Sequence, residues 1–466
     1  MRDLVRHLFG KRTASPGQPA LGLVKPIDRL NEIAPLKSAQ SERGASSPDA
    51  KLSFVCREVI LNRGERIAGY EFALHRKLHY RFAAERTTVR RVYDDLLLRS
   101  IASMEIDRLL EHRFALIDIA PESFINRMID GLPRKNAVLM LHPTPHTELD
   151  LRSLSAAIES ARTAGFRVGW HLTLAGSTPD ELWNLIDFLQ VRSGEFDGLQ
   201  LAELARTART RRTKGEPIQL VASDLSSLDE FRLCFKAGYD FFQGPFVNDR
   251  EQWHPPKSDI DRMRVIRILN EFQSGAEAIE LAELIRQDPV LAYKMLRYIN
   301  SPALGLGKEI TQIEHGLTLL GRGPFYRWLS LLLFDVKGAG FAERVLFEEA
   351  LVRARLMEQI APHSGISDLV ADHLFMVGLF SLLDQMLQIP TAAILEKISV
   401  PESVRAALIS RSGPLAPFLG LSLVCENGDP DEIELLASAC RVDLQTVNQE
   451  LMRAHAWAQS VATLGS

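Results

Sequence analysis

The spacing of apolar residues changes once along this chain, and the change divides it. Between Leu52 and Val247, short apolar runs alternate with stretches of helical period; beyond WHPPKS, Trp253 to Ser258, apolar residues recur only three and four apart. The short runs are SFVCREVILN, AGYEFALH, FALIDIA, AVLMLHP, FRVGWHLT, GLQLAE, IQLVASD and DFFQGPFV. Strand-helix alternation of this kind predicts a parallel sheet, and eight such runs predict that it closes into a barrel. The later pattern predicts helices that each bury one face in a common core. The fold class is therefore α/β plus all-α: an N-terminal TIM-like (β/α) barrel followed by a helical bundle. The divisions are a disordered tail over 1–50, the barrel over 51–254 and the helical domain over 255–466. At about 150 residues per domain, a chain of 466 residues accommodates two cores.

Residues 13–50 are rich in Ser, Pro, Ala and Gly and lack periodicity, the composition of a segment unable to offset its ordering entropy. The formal charge of -4, with both signs interspersed, gives no electrostatic reason to bind nucleic acid. No apolar run approaches the roughly 18 residues of a membrane span. The basic amphipathic opening MRDLVRHLFGKR has neither the continuous apolar stretch nor the cleavage site of a signal peptide. Cys56, Cys234, Cys425 and Cys440 have no metal-ligand spacing and read as reduced structural thiols. Together these features predict a cytoplasmic protein with no stable membrane insertion.

In a β/α barrel the chemistry lies at the carboxyl ends of the strands. The segments found there, GYEFALHR at 69–76 and AGYDFFQGPFV at 237–247, resemble the signature strand and the final Gly-Cys-Asp-x-x-Gln-Gly segment of EAL domains, the barrels that hydrolyse cyclic di-GMP. The resemblance covers residues 51–250. It implies two divalent cations held by acids and one Asn, with a Lys near the attacking water, since hard cations prefer oxygen ligands. The corresponding positions here are Glu71, Asp118, Met140, His171, Leu172, Gln200 (at the Lys), Ser223 and Gln243. Too few of these carry oxygen ligands for two ions. His142 and His146, in LHPTPH, read as residues of a solvated loop.

LAELIRQDPVLAYKMLRYINSPALGL followed by ITQIEHGLTLLGRGPFYRWLSLLLF resembles the HDOD domain, a relative of the HD phosphohydrolases, over residues 259–455. The metal-binding His-Asp dyad of those hydrolases falls at Ser381 and Leu382 in VGLFSLLDQMLQIP. The pairing of a degenerate EAL domain with an HDOD domain resembles a class of bacterial two-domain signalling proteins. That resemblance implies a chain that is not an enzyme and needs no cofactor: an adaptor that contacts a regulatory protein partner. Tyr298, Tyr326 and Trp328 are the candidate contacts, because aromatic side chains dominate interface energetics. The alternative is a cyclic di-GMP receptor without hydrolysis, in which Arg211 and Arg212 meet phosphate, or a residual cyclic di-GMP phosphodiesterase.

Overall fold

The computed structural model describes residues 53–74, 87–104, 106–125, 129, 131–143, 150–172, 178–212, 215–248, 261–300, 310–334, 341–427 and 430–464. The tail over 1–50, the linker at Trp253 to Ser258, and His75, Arg76, His146, Gly176 and Lys214 lie outside the described residues.

Eight strands form a closed barrel in sequence order: β1 Cys56–Asn62, β2 Ile67–Ala73, β3 Phe114–Ile119, β4 Ala137–Leu141, β5 Arg167–Leu172, β6 Phe188–Arg192, β7 Gln219–Ser223 and β8 Phe241–Gln243. All neighbours pair in parallel except at β1, which is antiparallel to both β2 and β8. The reversal follows from a tight turn in which the Asn62 side chain accepts from the backbone N–H groups of Gly64 and Arg66 while Glu65 takes a left-handed φ of 55°. The helices of this half are α1 Thr87–Ala102, α2 Pro121–Ile125, α3 Leu151–Thr163, α4 Gly198–Arg211 and α5 Leu228–Ala237.

One of the eight expected strands is misplaced. GLQLAE lies in α4, and the sixth strand is Phe188–Arg192. The helix is set by Asp197, whose side chain accepts from the Gln200 N–H while the Gln200 side chain accepts from the Asp197 N–H, a reciprocal cap that fixes the first turn.

The barrel interior is filled by Ile60, Phe114, Leu116, Val138, Met140, Phe188 and Val221, with Phe241 against them. Side chains on a strand alternate faces. These residues therefore fix which positions point inward on every strand. A Cβ on Gly169 would stand 2.2 Å from the Met140 sulfur, so the glycine of β5 leaves the space that Met140 fills.

The helical half comprises α6 Arg262–Gln273, α7 Ala278–Arg286, α8 Pro289–Ile299, α9 Ile313–Leu320, α10 Arg322–Leu331, α11 Phe341–His363, α12 Asp368–Phe380, α13 Leu383–Leu387, α14 Thr391–Leu395, α15 Glu402–Ile409, α16 Ala416–Asn427, α17 Pro430–Ala439 and α18 Leu444–Leu464. Asp288 caps α8 by accepting from Val290 and Leu291, and Pro289 opens it. Helices α11 and α12 approach closely because Gly378 has no side chain: a Cβ there would lie 2.5 Å from the Ala354 Cα.

Packing divides the chain into two compact units, and residues 424–453 fall with the barrel, a segment that helical periodicity alone groups with the bundle. Asn448 explains the attachment. It is 1% exposed, accepts from the Val55 N–H at 3.1 Å and donates to the Ser53 carbonyl at 2.9 Å, satisfying backbone groups just ahead of β1. All four cysteines are buried and outside any disulfide. No helix among the described residues is long and apolar enough to cross a membrane.

Candidate active site at the barrel mouth

Two residues beyond the last inward core position of each parallel strand the barrel interior becomes polar. Glu71 follows Gly69, Asp118 follows Leu116, His142 follows Met140, His171 follows Gly169, Gln190 follows Phe188, Ser223 follows Val221 and Gln243 follows Phe241. These seven lie at or next to the carboxyl ends of the seven parallel strands, and each is at least nine-tenths buried. The period of two thus assembles them into one ring from seven separate segments.

Glu71 is the hub. Its Oε1 accepts from the Gln190 Nε2 at 3.1 Å, and its Oε2 accepts from the Gln243 Nε2. The same Gln243 nitrogen donates to Glu58 at 2.7 Å. Glu58 stands directly opposite Glu71 in the β1–β2 register. On the far side of the mouth the rings of His142 and His171 stack, with centroids 4.3 Å apart and planes 5° from parallel, and the His142 Nδ1 lies 3.7 Å from the Asp118 Oδ2. Asp224, just past β7, has its carboxyl pKa raised, chiefly by burial, with Glu58, Glu230 and Glu195 adding to the shift against Arg192.

Of the sequence candidates, Glu71, Asp118, His171, Ser223 and Gln243 are brought together. Met140 sits one layer below them, in the apolar core. Leu172 points out of the barrel, as its alternation with His171 requires, and is buried there. Gln200 is far from this register, in the first turn of α4; the inward position on the sixth strand belongs to Gln190, which the misplaced strand concealed. His142 is a second correction, since it is 4% exposed and stacked at the mouth, not a solvated loop residue. Strand alternation counted on from Met140 was the signal that could have found it. Glu58 had no such signal, because its inward position depends on the reversal of β1.

Arg211 and Arg212 are corrected as well. They end α4, the helix that leads to the amino end of β7, on the opposite face from the mouth. Arg211 pairs with Asp180 at 2.9 Å, and Arg212 donates to the Ile186 carbonyl at 2.6 Å and reaches Asp187 at 3.5 Å, just ahead of β6. In the bundle, Tyr326 and Trp328 are 6% and 5% exposed and belong to the core, with Tyr298 half-buried and stacked on Trp328. The three- and four-residue spacing that made them visible is the spacing of the buried face. Ser381 ends α12, accepting from Arg353 at 2.7 Å, and Leu382 is buried.

Two divalent ions would need converging oxygen or imidazole ligands. Among the described residues no group of three or more His, Cys, Asp or Glu is placed to hold a metal ion. Gln190 and Gln243 turn N–H groups, not oxygens, toward Glu71. The described residues do not fit the two-ion arrangement.

Residues 262–389 match the HDOD domain family. They are an HDOD domain. The chain is 24% identical over 418 residues, 88% of its length and 94% of the relative's, to a Vibrio cholerae protein named cyclic di-GMP phosphodiesterase CdgJ. It is 23% identical over 421 residues, 88% of its length and 98% of the relative's, to Bacillus subtilis YuxH, whose function is uncharacterized. Klebsiella pneumoniae BlrP1, solved with calcium and cyclic di-GMP, superposes on 42% of this chain and 55% of its own with 18% identity and a TM-score of 0.34, too slight a likeness to argue from. The match to a protein named as a phosphodiesterase, along nearly the whole of both chains, overturns the expectation that this HDOD protein is not an enzyme.

Proposed function

We propose that this chain is a cyclic di-GMP signalling protein whose barrel is of EAL type, taking the dinucleotide at its mouth and cleaving one phosphodiester, and whose HDOD half passes the outcome to a regulatory protein. The observation that carries the reading is the buried ring of Glu71, Asp118, His142, His171, Gln190, Ser223 and Gln243 at the strand ends. A polar ring is costly in a barrel core unless its groups bond to one another or to a ligand. The name of the Vibrio cholerae relative supports the substrate and the reaction.

In this reading Glu71 organises the site, because both of its oxygens hold glutamine amides that would otherwise turn freely. The imidazole of His142, with a carboxylate beside its Nδ1, takes the proton of the attacking water. Water adds to phosphorus, the bond to the 3′-oxygen breaks, the departing oxygen takes up the proton held by the imidazolium, and the product is the linear dinucleotide. The HDOD half offers exposed Ile279 and Tyr293 as protein contacts. Four buried thiols outside any disulfide support a cytoplasmic setting.

The test is chromatographic assay of the full chain incubated with cyclic di-GMP. Linear dinucleotide is expected from the wild type, with the rate at least tenfold lower in His142→Gln. No linear product from the wild type overturns the catalytic reading.

A further inference from the structure

The last helix, α18, belongs to both compact units: its residues 444–453 fall with the barrel and 454–464 with the helical unit. Within the barrel unit it holds the entry to β1 at several points. Asn448, 1% exposed, accepts from the Val55 N–H at 3.1 Å and donates to the Ser53 carbonyl at 2.9 Å, and Gln449 donates to the Ser103 carbonyl at 3.2 Å. One turn on, the Met452 sulfur lies 3.9 Å from the Arg57 Nη1. Residues four apart share a helix face and residues two apart share a strand face, so one side of α18 meets Val55 and Arg57 on the outside of the barrel.

The residue after Arg57 is Glu58, which by the same alternation faces inward. Its carboxylate accepts from the Gln243 Nε2 at 2.7 Å, the nitrogen that also serves Glu71. Here β1 has β2 beside it, with Arg57, Glu58 and Val59 opposite Phe72, Glu71 and Tyr70, whereas β8 joins it at Ile60 to Asn62. The entry of β1 is therefore held by β2 on one edge and by α18 from outside. A helix is one continuous ladder of hydrogen bonds, so a displacement of residues 454–464 is carried to Asn448. From there it passes to the β1 backbone, to Glu58 and to the amide shared with Glu71, a contiguous chain of packed and bonded groups. We propose that α18 is the element through which the helical half regulates the dinucleotide site, with Asn448 as the positioning residue that sets β1 and Glu58, a role that rests on the mouth being that site.

Calorimetric titration of the full chain with cyclic di-GMP, wild type against Asn448→Ala, tests the coupling. Affinity should fall roughly tenfold with the binding stoichiometry unchanged, within the range of coupling between distinct sites. A variant that merely misfolds lowers the stoichiometry and leaves the dissociation constant alone. Gln449→Ala, which removes only the bond to the Ser103 carbonyl, is the milder variant and should weaken binding about threefold. Coupling is reciprocal, so saturating cyclic di-GMP should slow amide hydrogen exchange over 454–464 in the wild type. Undiminished affinity in the folded fraction of either variant, or exchange over 454–464 that the ligand leaves unchanged, overturns the proposal while leaving the mouth as the binding site. A wild type that binds no cyclic di-GMP overturns the reading of the mouth, and this proposal with it.

Discussion

The barrel mouth and the α11–α12 pair of the bundle gather their buried polar residues in different ways. At the mouth, strand alternation forces seven polar side chains from seven segments into one buried ring, in which Gln190 and Gln243 bond to Glu71 and His142 stacks on His171 beside Asp118. In the bundle, the buried charges Glu343, Glu348 and Arg353 are all carried by one helix, α11, while the pair of Arg327 with Asp372 at 2.6 Å lies nearer the surface, with side chains 30% and 44% exposed. A closed sheet has an interior that its own period must fill, whereas a helix can turn its polar side to water. The mouth thus draws its buried polar groups from seven strands, whereas the bundle carries a run of buried charges on one long helix.

The contrast predicts unequal costs for removing one acid from each half. Asp94, fully buried on α1, bonds Arg90 at 2.9 Å and accepts from the Ala120 N–H, and burial holds its pKa above the usual value. Asp94→Ala leaves the 1%-exposed Arg90 without that partner, and should cost about 3–5 kcal/mol in urea unfolding. The next effect in size belongs to the helix contact. Gly378→Ala places a methyl against the backbone of Ala354, which cannot move aside, and should cost about 1–3 kcal/mol. Gly169→Ala meets chiefly the flexible end of Met140 and should cost less in the same measurement. Equal losses in the two glycine variants would show that barrel and bundle are packed with the same tolerance.

The smallest effects are expected at partly exposed acids. Asp372→Ala in the bundle should change stability by about 1 kcal/mol or less, as exposed pairs do. At the mouth the raised pKa of Asp224 gives a pH signature. Because the folded pKa lies above the unfolded one, its contribution is fully present below the unfolded pKa and fades as pH rises through the folded value. Asp224→Asn should therefore gain stability relative to wild type between pH 3 and pH 7, and the same unfolding assay at both pH values checks the sign.

Much of the fold was legible because period two and period 3.6 differ plainly over long stretches. Seven of eight strands and the character of the helical half follow from that difference. The failure at GLQLAE has a local cause: a short apolar run is ambiguous in period, and the cap at Asp197 decides for helix. The site was legible only where family likeness and strand register agreed, as at Glu71, His171 and Gln243. Gln190 and His142 required the register of their own strands. Glu58 required the antiparallel pairing of β1, which no local pattern announces. Tyr326 and Trp328 show the converse limit, since residue type favours an interface and only packing places them in the core.

The measurement that bears most directly on the account is calorimetric titration of the full chain with cyclic di-GMP, wild type against Glu71→Ala. The alanine removes the carboxylate that orients Gln190 and Gln243. Saturable wild-type binding that weakens at least tenfold in the variant, about 1.4 kcal/mol, is the expected result. A wild type that binds no cyclic di-GMP, or a variant that binds it equally well, would contradict the assignment of the mouth as the dinucleotide site.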